Sequence, residues 1–112
     1  YVDDDESPAL LRIIARLLKP EGAEVDLAND LVSGLALARQ KDYDLFILDG
    51  LEGKCWEFGR EFPASQEKTL IFSSNNQVIA AAQRLGVFYV EKPDYNQVVD
   101  FYRLRFGTNK QE

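Results

Sequence analysis

Three aspartates, Asp3, Asp4 and Asp5, stand in a row behind Tyr1 and Val2. Neighbouring carboxylates repel, and each opposes the ionisation of the next. Such a run is tolerated as a solvated surface, as a partner of a helix N-terminus, or where a divalent cation neutralises it. Other apolar runs also end in polar groups. Asp49 and Gly50 follow "YDLFIL", Ser73, Ser74, Asn75 and Asn76 follow or close "KTLIF", and Lys92 and Pro93 follow "VFYVE". Carboxylates suit a hard, oxygen-seeking ion such as Mg²⁺, which keeps waters and takes one or two carboxylates with phosphate oxygens. An ammonium and a hydroxyl facing that ion suit a phosphoryl group, whose charge is spread over three oxygens. The chain has no histidine, so histidine catalysis and imidazole ligation are excluded.

These groups need strands and helices to bring them together. "SPALLRIIARLLKPEG" reads as a helix with Ser7 as N-cap, Pro8 at its first position and a stripe of Leu10, Ile13, Ile14, Leu17 and Leu18. "AEVDLAN" alternates like a short strand, and "DLVSGLALARQKD" reads as a helix capped by Asp30. "YDLFILDG" and "KTLIFSS" are nearly continuous apolar runs, as expected of strands covered on both faces. "CWEFGREF" suggests a short helix, "NQVIAAAQRLG" a helix closed by Gly86, "VFYVEKP" a strand, and "DYNQVVDFYRLRF" a last helix with Val98, Val99, Phe101, Tyr102 and Leu104 to pack. Strand and helix alternate, with only "YV" left of the first strand. The pattern predicts an α/β, doubly wound, five-stranded parallel sheet of flavodoxin-like (βα)5 form, strand order 2-1-3-4-5. In such a sheet, ligands bind where the strands end at their carboxyl side.

The chain has 112 residues, 46% of them hydrophobic and 29% charged, with a net charge of −6, which suits one soluble domain. Residues 1–106 read as that domain and 107–112 as a polar tail or linker, in what reads as a piece of a longer protein with its first strand truncated. The basic residues are scattered, so direct nucleic-acid binding is not expected. No apolar run reaches the ~18 residues of a membrane span, and no signal segment is evident. The lone Cys55 excludes an internal disulfide, reads as a small packing residue and suits a cytoplasmic location.

"VDDD", "FILDG", "IFSS" and "YVEKP", in this order and each at a strand end, resemble the receiver domain of two-component response regulators. The resemblance spans almost the whole chain and implies a phosphorylation switch. Asp49 would be the phosphoacceptor, taking its phosphoryl group from a histidine kinase, a phosphotransfer protein or a small phosphodonor. Asp4, Asp49 and the backbone carbonyl of Leu51 would hold Mg²⁺, with Asp3 acting through water. Ser73 and Lys92 would contact the phosphoryl group, and Tyr89 would be the aromatic that turns inward with Ser73 on activation. Pro93 would follow a cis peptide bond. Such a module is a signalling phosphoacceptor rather than an enzyme acting on a separate substrate, and a homodimer through "FYRLRF" fits the family.

Each residue also has a plainer reading. Asp49 can be a turn residue before Gly50, Tyr89 core, Lys92 surface, and Trp56 and Phe58 buried. "DGLEGKCWEF" is shorter than the family's loop and places Cys55 where a glycine is usual; Glu52 adds a carboxylate there. Leu51 and Asn75 would flank the path of the hydrolytic water, and an apolar Leu51 would make the phosphorylated form long-lived. The main alternative is a degenerate receiver serving as a phosphorylation-independent interaction or dimerisation module. A Mg²⁺-dependent phosphohydrolase is disfavoured by Leu51, where a second acid is usual. A flavodoxin is disfavoured by carboxylates in place of a phosphate loop.

Overall fold

The computed structural model describes residues 1–4 and 8–107, and leaves the side chains of Pro8, Glu52 and Ala64 undescribed. The Ser7 cap, Asp5 and the tail beyond Gly107 therefore lie outside the described residues. Strands β1 (Phe46–Leu48), β2 (Thr69–Ser73) and β3 (Phe88–Glu91) form a parallel sheet in the order β1-β2-β3. Helices α1 (Pro8–Leu18), α2 (Leu31–Gln40), α3 (Glu57–Glu61), α4 (Asn76–Leu85) and α5 (Tyr95–Phe106) complete a Rossmann-like α/β fold.

The sheet has three strands among the described residues, where the pattern predicts five. Residues 1–3 and the stretch "AEVDLAN" approach as isolated parallel bridges, Val2 to Ala28 and Val2 to Leu48. Val2 N–H donates to Ile47 O and Asp49 N–H to Val2 O, both at 2.9 Å, while Asp3 N–H donates to Ala28 O at 3.1 Å. These contacts form isolated bridges rather than a ladder, so residues 23–27 are not part of the sheet.

Side chains alternate across the pleat, so each strand feeds two cores. Leu48, Ile71 and Val2 point to one face, where Leu51, Cys55, Phe58, Val78 and Ala82 meet them from α3, α4 and the turn before α3. Ile47, Leu70, Phe72 and Val90 point to the other, against Ile14 and Leu18 of α1 and Val98 of α5. All residues of β2 are buried, as its apolar run requires of a central strand.

The helices follow local signals with some shifts. Leu11, Ile14 and Leu18 form the buried stripe of α1, and Leu10 is exposed. Lys19–Glu21 form a 3₁₀ turn closed by Gly22, whose φ of 96° suits glycine. Asp30 caps α2, accepting from Ser33 N–H at 2.7 Å. The predicted "CWEFGREF" helix is a 3₁₀ turn (Leu51–Trp56) running into the short α3, followed by a second 3₁₀ turn at Pro63–Lys68. Gly86, at φ 72°, ends α4. Leu104 of α5 is exposed rather than packed. No helix is long and apolar enough to cross a membrane.

Candidate functional site

Parallel strands in register bring their carboxyl ends to one edge. Ser73 pairs with Glu91 in the ladder, and Lys92 N–H donates to Ser73 O at 3.0 Å, so Lys92 leaves β3 beside the end of β2. Asp49 follows β1, and its N–H bond to Val2 places it next to Asp3 and Asp4. Carboxylate oxygens of Asp3, Asp4 and Asp49 lie within 4.8 Å of one another. The Lys92 ammonium sits 2.8 Å from Asp3 Oδ2 and 2.9 Å from Asp49 Oδ1. Asp3 is buried, Asp4 is exposed, and the side chains of Asp49 and Lys92 are 14% and 15% accessible, so the cluster opens to solvent on one side.

Burial alone pushes the Lys92 ammonium toward its neutral form. Its hydrogen bonds and charge contacts with Asp3 and Asp49 outweigh that and hold its pKa above the ordinary value. Three carboxylates at this spacing are a suitable donor set for one hard divalent cation, with Lys92 as a competing charge on two of them. Ser73 is buried at the end of β2, and its Oγ accepts from Asn75 N–H at 3.0 Å. The edge thus presents three carboxylates, an ammonium and a hydroxyl.

Leu51 differs from its expected role in one respect. It adopts a left-handed φ of 51°, and its N–H turns back to Asp49 Oδ2 at 3.2 Å. Its side chain is 2% exposed and lies in the core with Leu48 and Cys55, so it does not flank an approach to Asp49. The Asn75 side chain caps α4, its Oδ1 accepting from Gln77 N–H at 2.8 Å and Val78 N–H at 3.2 Å. Tyr89 is 39% exposed rather than core, and its hydroxyl accepts from Gln83 Nε2 at 2.8 Å. The Lys92–Pro93 peptide is cis. Cys55 is fully buried, and its thiol is pushed up to about 12, by burial first and the Asp49 charge second. Phe58 is fully buried and Trp56 partly so.

Two participants escape the motifs. The Tyr1 hydroxyl donates to Asp3 Oδ2, the same oxygen that Lys92 contacts. Burial, followed by the Asp3 hydrogen bond and charge, holds this phenol protonated. A tyrosine two residues before an aspartate on an extended chain shares its face, which is the signal available in the sequence. Gly50 is the other. A Cβ there would fall 2.9 Å from Val78 Cγ2 and 3.2 Å from Ser73 Oγ, so glycine lets the turn after Asp49 lie against α4.

No family model and no curated protein matches the chain. Among solved structures, a de novo designed Rossmann 2x3 fold protein, determined by solution NMR, is similar with a TM-score of 0.70 and 19% identity. The match covers 99% of this chain and 91% of the designed one. At that identity the likeness shows the α/β fold alone.

Proposed function

We propose that this chain is a phosphoacceptor receiver module that carries its phosphoryl group on Asp49. The observation that carries this reading is the single constellation of Asp49, Asp3, Asp4 and Lys92 at one sheet edge, with Ser73 on the neighbouring strand end. The isolated bridges of Val2 to Ala28 and to Leu48, which bring Asp3 beside the end of β1, support this reading.

An Asp49 oxygen attacks phosphorus of a phosphohistidine or of acetyl phosphate. The donor's bond to phosphorus breaks with its electron pair on the leaving group, and the new O–P bond is an acyl phosphate. Asp4, Asp49 and the Leu51 carbonyl would hold Mg²⁺, with Asp3 acting through water, and the bound ion would neutralise charge at the phosphoryl oxygens. Lys92 exchanges its contact with Asp49 for one with the phosphoryl group. Ser73 Oγ keeps the Asn75 N–H as donor and turns its own proton to the phosphoryl oxygen. Tyr89 leaves Gln83 and turns inward, changing the face of β3, α4 and α5. A bias of a few kcal/mol between two existing conformers is sufficient for such a switch.

A phosphorylation-independent interaction module is the second reading. It is favoured by the exposed Leu85, Phe88, Leu104 and Phe106 along α4, β3 and α5, a face suited to a second copy or an output partner. Intact-protein mass after incubation with acetyl phosphate separates the two. The first reading expects a gain of one phosphoryl group that requires Mg²⁺ and is absent in Asp49→Asn. No gain, with no Mg²⁺ binding by titration, supports the second.

A further inference from the structure

We propose that the cleft walled by α3, the turn before β2 and the end of α4 binds a small carboxylic acid with an apolar body of aromatic size; this inference is independent of the receiver reading. The cleft holds about 200 Å³. An apolar cavity of about 150 Å³ takes a benzene molecule, so one ring with a short chain fits here. Leu48, Phe58, Val87 and Trp56 supply its apolar and aromatic lining.

Two features point to a ligand rather than to a loose seam in the packing. The first is Gly59. The other glycines have steric reasons: Gly22, Gly53, Gly86 and Gly107 hold a positive φ, and a Cβ at Gly34 or Gly50 would fall 2.7 or 2.9 Å from a valine methyl. Gly59 has neither. It stands in the middle of α3 without a left-handed φ, and a Cβ there would meet nothing within 4 Å. Glycine weakens a helix interior. Here it lines the cleft, and the missing side chain leaves the entrance open. The second feature is charge. Among the described residues lining the cleft none is acidic, and Arg60 is the one cation. The adjacent Glu61 is taken by Arg39 at 3.0 Å, and no described residue pairs with Arg60. A planar guanidinium matches a carboxylate in a two-pronged contact. Gln66 adds a second donor: its Nε2 spends one hydrogen on Leu85 O at 3.3 Å and keeps the other. An apolar lining with a guanidinium and a carboxamide at its rim fits an apolar acid.

The experiment uses hydrocinnamate, a phenyl ring on a two-carbon chain ending in a carboxylate, as the probe. Trp56, the chain's one tryptophan, is the reporter. Its fluorescence is titrated with the probe up to about 10 mM, the weak end for a ligand of this size. The expected result is a saturable change in the unaltered protein. The neutral amide of the same acid binds about tenfold more weakly, and Arg60→Gln loses about as much for the acid, the order of one charge-assisted hydrogen bond. Gly59→Leu, whose side chain fills the entrance without a helix penalty, shows no saturation. Absence of saturation in the unaltered protein overturns the proposal, and so does equal affinity for acid and amide. Unchanged binding by Gly59→Leu places the probe elsewhere and overturns it too. Saturation by a Phe-Asp peptide, where the acid gives none, makes the cleft a protein-docking surface instead. Should Gly59→Leu fail to fold, the acid-to-amide comparison in the unaltered protein and the exposed Arg60→Gln decide. Each of these outcomes leaves phosphorylation of Asp49 untouched.

Discussion

Replacing Lys92 by methionine removes the charge that holds two carboxylates together and leaves most of the side-chain volume. Unit charges 4.8 Å apart repel by about 3.5 kcal/mol at an effective dielectric of ~20, and Asp3, Asp4 and Asp49 lie within that distance of one another. The attraction of Lys92 at 2.8 and 2.9 Å is about 6 kcal/mol per contact on the same scale, before desolvation. Removing one partner of a buried pair costs about 3–5 kcal/mol. The cluster opens to water on the Asp4 side, so the expected loss is at the lower end, about 3 kcal/mol. With a urea slope near 1.5 kcal/mol/M, the unfolding midpoint falls by about 2 M at neutral pH without Mg²⁺. Millimolar Mg²⁺ then raises the variant's midpoint more than that of the unaltered protein, because the ion meets carboxylates with no competing ammonium. The pH dependence has a definite sign. The folded pKa of Lys92 lies above its ordinary 10.5, so its contribution is whole below about 10.5 and fades as pH rises from there through the folded value. A midpoint within about 0.3 M of the unaltered protein, with equal Mg²⁺ effects, would refute the ion-pair account.

Other changes probe the frame around the cluster. Gly50→Ala meets Val78 and the Ser73 hydroxyl at sub-van der Waals distance with an ordinary backbone φ of −61°, so the cost of about 1–3 kcal/mol is steric; chemical denaturation measures it. Leu51→Asn carries an amide into the apolar core and loses about 2–4 kcal/mol in the same assay, rather than simply hastening loss of phosphate. Cys55, 1% exposed and with its thiol near 12, resists alkylation in the folded protein at mildly alkaline pH and reacts once denaturant unfolds it; rapid labelling in the native state would contradict this.

The sequence made the parts of this fold that depend on local chemistry legible. The caps at Asp30 and Gly86, the buried runs of β1 and β2, and the polar residues at each strand end were all readable, because composition and period determine them. The absence of the first two predicted strands was not readable, since a strand exists only with its neighbour, and the alternation in "AEVDLAN" says nothing about how that neighbour pairs. The close approach of Gly50 to α4 was not readable, because it depends on Val78, a residue far along the chain. Leu51 was assigned to an approach path by its position in the motif, whereas its left-handed backbone directs the side chain into the core. Glu21 went unnoticed as a surface acid; it is buried and held by Arg103 of α5 through bonds of 3.0 and 2.8 Å. Long-range pairs of this kind leave no periodic trace.

The central claim is that Asp49 is the nucleophile, and location of the phosphoryl group tests it most directly. After incubation with acetyl phosphate and Mg²⁺, borohydride reduction of an acyl phosphate converts that aspartate to homoserine, which peptide mass spectrometry locates. The account predicts homoserine at position 49 of the unaltered chain, dependent on Mg²⁺. Its absence there, or conversion at Asp3 or Asp4 instead, would contradict it.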